Sequence, residues 1–249
     1  MGIRAYWKGK ILGFFDDTLS TTYKNGVWAD CPIRAIRQDP NVAHFICEDF
    51  NDINAATLAG YTTTQSGIVG TFELSDAGGG VALVDSGSTT VTEGANVQKI
   101  GECFLPAADK DIWFECKVKV VDTFDKAELF IGLSETDTAI IDTSANASAS
   151  HIGWQCVTDD GVLLFSAEKA TAGATKAAAT IAADTWITLG FKVNGVTDIE
   201  HWVNGVKIAT TQLTANIPVT ELTPSFVCQS GGTNDPILHI DWYKCVQLR

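Results

Sequence analysis

Residues 112–120 read IWFECKVKV, and the alternation within this stretch decides the fold class. Its apolar side chains recur at every second position, and its more polar positions lie between them. The first set is Ile112, Phe114, Cys116, Val118 and Val120, and the second is Trp113, Glu115, Lys117 and Lys119. Because side chains alternate across a strand with a period of two, the pattern predicts an antiparallel strand with Cys116 in the core.

The neighbouring sequence repeats this signal in short segments separated by turns. The pair Asn204-Gly205 stands between Val203 and Val206, and both positions of such a two-residue turn favour positive φ, so the pair predicts a β-hairpin. Alternating segments also occur at residues 127–133 and 187–193, a short strand fits residues 152–157, and a terminal strand fits residues 237–248. Many short strands with few helix signals predict an all-β fold, an antiparallel two-sheet jelly-roll sandwich.

One segment is ambiguous between strand and helix. Residues 167–183 are rich in alanine, which favours a helix, but they contain Gly173 and several threonines and have no amphipathic stripe. We predict a loop with a short strand here and keep a helix as the alternative.

The first 45 residues have aromatic side chains but no sustained periodicity. We predict an irregular N-terminal segment or arm over residues 1–45 and the sandwich over residues 46–249. Large apolar side chains are costly to leave in water, since burial of each is worth roughly 1.5–3 kcal/mol. We expect another copy or a capsid to cover them, with the sandwich itself as the alternative. The predicted interface residues are Trp7, Phe14, Phe15, Trp28 and Phe45.

Charge and composition exclude several classes of partner. The chain has 30 acidic and 17 basic residues, a net charge of −13 and a pI near 4.6, which disfavours nucleic acid and anionic membranes as partners. The longest apolar runs fall short of the roughly 18 residues of a membrane span, and residues 11–15 are too short a run for a signal-peptide core. We therefore expect synthesis in the cytoplasm.

Residue patterns for catalysis or cofactor binding are weak. Asp198 and Glu200 have the same-face spacing of a carboxylate pair but lack a third acidic partner, and Glu128 has no acidic partner identifiable from the sequence. The seven cysteines form no CxxC pair, and no GxSxG or GxGxxG motif occurs. We predict no enzymatic activity, no metal site and no cofactor. Trp113 and Trp202 lie opposite the more apolar faces of their strands and are candidate glycan-stacking residues, unless a loop or the N-terminal segment buries them.

Several of these stretches resemble concanavalin A-like and laminin G-like sandwiches. More specifically, the set from about residue 45 onward resembles phage-encoded structural proteins built on this fold. The stretches are residues 78–86 (GGGVALVDS), 112–118 (IWFECKV), 130–133 (FIGL), 184–195 (DTWITLGFKVNG), 201–206 (HWVNGV) and 240–242 (IDW). These motifs are structural, so they indicate fold more strongly than activity.

The resemblance implies a non-catalytic bacteriophage virion protein, a capsid decoration or cement protein. Its expected partners are the major capsid protein or another virion protein and further copies of itself, and its expected location is the virion, after synthesis in the host cytoplasm. The alternative is a carbohydrate-binding module of a phage tail or fibre that recognises a surface glycan. A glycoside hydrolase is less favoured because the acidic motif of the glucanase members is not reproduced.

Overall fold

The computed structural model describes residues 26–32, 39–51, 57–67, 69–75, 80–121, 127–141, 149–157, 161–170, 172–208 and 213–249. In these ranges the chain forms fifteen strands and one 3-10 helix, Thr57–Gly60, and every strand pair is antiparallel. The predicted all-β, two-sheet fold is therefore confirmed.

The strands divide into two sheets, which we call sheet A and sheet B. Sheet A contains β1 (Ala43–Glu48), β3 (Thr71–Ser75), β4 (Val81–Asp85), β6 (Ile112–Val121), β11 (Ile187–Asn194), β12 (Asp198–Val203), β13 (Val206–Lys207) and β15 (Ile237–Leu248). Sheet B contains β2 (Tyr61–Ser66), β5 (Gly94–Lys99), β7 (Ala127–Ser134), β8 (His151–Cys156), β9 (Val162–Lys169), β10 (Ala172–Thr180) and β14 (Thr223–Ser230). Sheet A has the order β13-β12-β11-β6-β15-β4-β3, with β1 also paired to β15, and sheet B has the order β10-β9-β8-β7-β14-β5-β2.

The inner faces of the two sheets enclose one large apolar core. The predicted inner face of β6 lies in it, and the rings of Phe114 and Phe191 stack there with centroids 4.9 Å apart. His201 is also buried in this core, where its ring stacks on that of Phe165 at 4.6 Å. All seven cysteines carry free thiols, and Cys116, Cys156, Cys228 and Cys245 pack as small apolar side chains.

The Asn204-Gly205 turn joins β12 to β13 as the sequence predicts. The φ angles of these two residues are 49° and 75°, in the left-handed region that this turn requires. Asn204 also extends the pairing toward β11, since its amide N–H donates to the carbonyl of Thr188 at 2.7 Å and its Oδ1 accepts from the Thr188 N–H at 2.9 Å. The turn therefore fixes both the hairpin and its position in sheet A.

We expect Gly205→Val to lower the free energy of unfolding by about 1 kcal/mol or more, because a β-branched residue resists positive φ. The melting temperature measured by circular dichroism should fall accordingly. Gly205→Asn is the control, since asparagine tolerates left-handed conformations and should cost less. Equal melting temperatures for Gly205→Val and the wild type would contradict this account of the turn.

The ambiguous segment forms strands in place of a helix. β9 ends at Lys169, Ala170 adopts a φ of 57°, and β10 pairs back along β9 with a register shift between Ala177 and Ala179. Hydrogen bonding to the edge of sheet B overrides the helix propensity of the alanines, which is worth only a fraction of a kcal/mol for each residue.

The N-terminal region is tied to the sandwich in two places. β1 pairs with β15 along its whole length, so the sheet begins at Ala43 and the predicted boundary after residue 45 falls inside a strand. Residues 26–32 pack on the outer face of sheet A. Of the predicted arm, residues 1–25 and 33–38 lie outside the described residues.

Candidate functional site

One half of the outer face of sheet A is covered by residues 26–32. We call the buried group at this contact the covered cluster: Val27, Trp28, Ala43, Trp113, Trp202 and Val246. Trp113 stands on β6 between Lys192 of β11 and Val246 of β15, its partners in the sheet register. The segment therefore adds a third layer of apolar side chains outside sheet A.

Polar groups fix the orientation of this segment. The indole N–H of Trp28 donates to Glu115 Oε2 at 2.6 Å, and the indole N–H of Trp113 donates to Asp30 Oδ1 at 3.0 Å. The Lys192 ammonium pairs with Asp30 and lies 3.2 Å from Asp111 Oδ2. These contacts hold a buried cation and a buried carboxylate in place beneath the segment.

The pKa values reflect this arrangement. Burial raises the pKa of Glu115, and the hydrogen bond from Trp28 offsets part of the rise. Burial alone would also raise the pKa of Asp30, but the Lys192 ammonium and the Trp113 indole outweigh it and hold that pKa below its usual range. The Asp30–Lys192 pair is thus charged when the segment is docked.

The covered cluster decides between the alternatives that the sequence left open for three tryptophans. Trp113 is 1% exposed and Trp202 is 6% exposed, so neither ring is accessible for stacking on a glycan. Residues 26–32 bury Trp113, and Trp202 belongs to the same cluster. Trp28, predicted as an intermolecular anchor, is buried within its own chain. Phe45, on β1, is 52% exposed and remains an interface candidate. Trp7, Phe14 and Phe15 lie outside the described residues.

The two carboxylates considered for catalysis, Asp198 and Glu200, lie on β12 and bind side chains on either side of it. Asp198 Oδ1 accepts a hydrogen bond from the Asn194 side chain at 2.6 Å, across the turn from β11 to β12. Glu200 pairs with Lys207 on β13. Both residues therefore tie neighbouring strands together. In the part of the chain that the structure describes, no group of three His, Cys, Asp or Glu side chains is placed to hold a metal ion.

The outer face of sheet B is filled by the chain itself. Gln98 and Asn96 of β5 and Gln229 of β14 bind the backbone of residues 135–141. Gln98 Nε2 donates to the Glu135 carbonyl at 2.9 Å, Asn96 Nδ2 to the Asp137 carbonyl at 2.8 Å, and Gln229 Nε2 to the Ile141 carbonyl at 3.3 Å. Ile140 and Ile141 then pack on Phe130 and Val227 of the sheet and on Val157, the residue after β8. Glu128 of β7 is 1% exposed.

The same face contains a serine–histidine pair that the sequence did not reveal. His151 Nδ1 lies 2.7 Å from the Ala149 carbonyl, which can only accept, so the proton is on Nδ1 and Nε2 accepts from the Ser166 hydroxyl at 2.8 Å. Burial lowers the pKa of His151 to about 4. The hydrogen bond has the geometry of an activated nucleophile, but Ser166 is 1% exposed and His151 is fully buried. In this conformation the pair serves as a buried link between β8 and β9.

The other half of the outer face of sheet A presents aromatic rings beside lysines. We call this group the aromatic–lysine platform: Trp186, Lys117, Lys119, His239 and Trp242, all partly exposed. Lys117 Nζ and Lys119 Nζ lie 5.0 and 5.1 Å from the centroid of the Trp186 ring. Sequence analysis placed both lysines on the polar face of β6, but strand pairing was needed to bring the two tryptophans beside them.

Comparison with known proteins identifies the family. Residues 76–241 match the model described as SO2946-like, C-terminal domain. The chain belongs to this family. The matched region starts just before β4 and ends within β15, so it contains most of both sheets of this SO2946-like domain. No curated protein sequence matches the chain.

Solved structures support the concanavalin A-like fold of this SO2946-like protein. The protein of unknown function SO2946 from Shewanella oneidensis MR-1 is 15% identical, with a TM-score of 0.57 over 84% of this chain and 87% of that one. An endo-1,3-beta-glucanase from Streptomyces sioyaensis is 11% identical, with a TM-score of 0.58 over 84% and 98%. Peanut lectin is 9% identical, with a TM-score of 0.54 over 83% and 99%. At these identities the likeness establishes the fold alone.

None of the helices in the described part of the chain has the length and apolarity to cross a membrane.

Proposed function

We propose that the protein is a non-catalytic structural component of a bacteriophage particle, a decoration protein that binds the capsid lattice and further copies of itself. The observation that carries the proposal is the exposure of Phe45 on β1, the strand added to sheet A beside β15. The resemblance of the sandwich motifs to phage-encoded structural proteins supports the assignment to a bacteriophage particle.

Phe45 has the properties of an interface anchor. Its register partner on β15 is Val246, a member of the covered cluster, so the exposed ring extends an apolar surface that the chain has already partly buried. Burial of an aromatic side chain against a partner is worth roughly 1.5–3 kcal/mol. Aromatic side chains surrounded by a polar rim are the usual centres of protein interfaces.

The filled outer face of sheet B supports a non-catalytic role. Glu128, Ser166 and His151 have the residue types of catalytic groups, yet each is at most 1% exposed. A substrate could reach them only if the packing around them opened. The protein therefore acts through its outer surfaces.

Mass spectrometry of purified particles tests the proposal. A decoration protein should be present in many copies, comparable with the major capsid protein. Absence from particles, or reproducible hydrolysis of β-glucan by the purified protein, would overturn it.

The Phe45→Ser variant tests the anchor. We expect it to rebind poorly to particles stripped of the protein, since roughly 2 kcal/mol of apolar burial is lost for each copy. Co-sedimentation measures the bound fraction. Val206→Ser is the matched control, because Val206 is also exposed, at 66%, but lies on the β13 hairpin at the opposite edge of sheet A. Equal rebinding of the two variants would place the interface elsewhere.

A second candidate function is a carbohydrate-binding module of a phage tail or fibre. The aromatic–lysine platform favours it, because partly exposed tryptophans on a flat sheet face are suited to stacking on sugar rings. The surface available for such binding is therefore different from the Trp113 and Trp202 positions that the sequence suggested.

A further inference from the structure

We propose that the aromatic–lysine platform binds an acidic polysaccharide, one whose sugar rings carry carboxylate groups. The inference rests on the second candidate function and specifies its ligand class and its residues. It is carried by the placement of Trp186, Trp242 and Lys119, all partly exposed, on one face of sheet A.

Strand pairing sets the spacing of the platform. Lys119 and Lys117 are two residues apart on β6, and their register partners on β15 are His239 and Trp242. On the other side of β6, Lys117 pairs with Thr188 of β11, and Trp186 stands two residues before Thr188, beside Lys119. β11 and β15 therefore flank β6, which separates the two tryptophans by two strand intervals, about 10 Å. A ligand in contact with both rings must extend across three strands.

Two lysines bring positive charge to the platform. Lys117 forms an ion pair with Asp241 at 2.6 Å, and its side chain remains 35% exposed. Among the described residues Lys119 has no ion-pair partner, and the Trp186 ring positions its ammonium by a cation–π contact. Lys119 is thus oriented by an aromatic ring and has an unmatched charge available for an anion.

The remaining charged groups around the platform have both signs: Lys244 Nζ lies 4.7 Å from the Trp242 ring centroid, and Glu73 lies on the same face of sheet A, two strands from His239. Asp184 interacts electrostatically with His239, and Asp241 is matched by Lys117. Burial, together with the neighbouring Lys119, lowers the pKa of His239, so its ring is neutral at pH 7 and adds hydrogen-bonding groups. The platform therefore combines the Lys119 ammonium with two indole rings and a neutral imidazole.

These features favour an acidic polysaccharide over other anions. A duplex nucleic acid has one negative charge for about every 1.7 Å of its length, so a protein of net charge −13 repels it more strongly than a chain with one charge on each sugar ring. A carboxylated polysaccharide has at most one charge on each sugar ring, and its rings present C–H faces that stack on tryptophan. A bound carboxylate would pair with Lys119 while neighbouring rings contact Trp186 and Trp242.

The test is a titration of the full-length protein with polygalacturonate, using unsubstituted β-glucan and polyaspartate as comparison ligands. Isothermal calorimetry should detect binding of polygalacturonate alone, and the affinity should fall as salt is added because ion pairs are screened. We expect Lys119→Gln to weaken binding about fivefold and Trp186→Ala about tenfold.

The matched control is Lys207→Gln. Lys207 also lies over a tryptophan, 5.6 Å from the Trp202 ring centroid, but belongs to the β13 hairpin outside the platform, so its loss should leave the affinity unchanged. Lys119→Gln removes a charge from a partly exposed side chain and keeps the test informative if Trp186→Ala unfolds the protein.

The outcomes separate the inference from the function on which it rests. Binding of neutral glucan equal to that of polygalacturonate, weakened by Trp186→Ala, would support a carbohydrate-binding module and overturn the acidic ligand. Binding of neither polysaccharide would overturn both. Equal binding of polyaspartate, or polygalacturonate affinity that none of the platform variants changes, would overturn the platform as a site for acidic sugars.

Discussion

Replacement of Trp28 by alanine should lower the free energy of unfolding by about 3–5 kcal/mol, the usual cost of removing a buried aromatic side chain. Trp28 is 6% exposed and covers Trp113, and its indole N–H donates to Glu115, whose pKa is already raised by burial. The substitution therefore opens a cavity and leaves a buried carboxylate without this donor. Urea denaturation followed by circular dichroism gives the free energy by linear extrapolation.

Trp28→Phe separates the packing contribution from the hydrogen bond. It retains a ring in the covered cluster but lacks the indole N–H, so we expect a smaller loss of about 1–3 kcal/mol. If both variants unfold at the wild-type urea concentration, residues 26–32 do not cover sheet A of their own chain. In that case, intermolecular cover by an arm, the prediction made from sequence, would be the better explanation.

Gly132→Ala is the second substitution for which we expect a large effect, a loss of about 3 kcal/mol or more. Gly132 lies on β7 in the middle of sheet B, and a Cβ at this position would lie 2.4 Å from the Ile152 carbonyl oxygen and 2.5 Å from Gly153 Cα. Both atoms are backbone atoms of β8, so relief of the contact requires the two strands to move apart. Denaturation by urea would show the loss as a lower midpoint.

Gly173→Ala is the matched control within the same sheet. Gly173 lies on the edge strand β10, and an added Cβ would meet the Glu168 carboxylate at 2.9 Å, the end of a flexible side chain that can rotate away. We expect a change within about 0.5 kcal/mol. Similar losses for the two variants would show that the close approach of β7 to β8 does not limit the packing of sheet B.

The sequence identified features that depend on local geometry. The alternation in residues 112–120 predicts β6 and its inner face, since the period of side chains along a strand is a property of the backbone. Asn204-Gly205 predicts its hairpin because few residues tolerate positive φ at both turn positions. The terminal strand over residues 237–248 also follows from local pattern.

Tertiary structure decided whether the second face of each strand is exposed. Trp113 and Glu115 alternate correctly for a solvent-facing surface, yet they are buried because a segment more than 80 residues earlier in the chain packs on them. Likewise, the polar side chains of sheet B bind the backbone of residues 135–141 in place of water. Alternation of apolar and polar residues along a strand shows that the two faces of the strand differ. It does not show which other part of the chain packs on either face.

The candidate sites likewise combine residue types that the sequence shows with neighbours that only the fold brings together. The strand pattern, the acidic charge and the residue types on each strand face follow from the sequence alone. Strand pairing placed Trp186, just before β11, and Trp242, in the middle of β15, on opposite sides of Lys117 and Lys119. Packing of the sheets enclosed His151 with Ser166. Strand order and register join residues far apart in the chain, and these depend on the total burial achieved by all strands together.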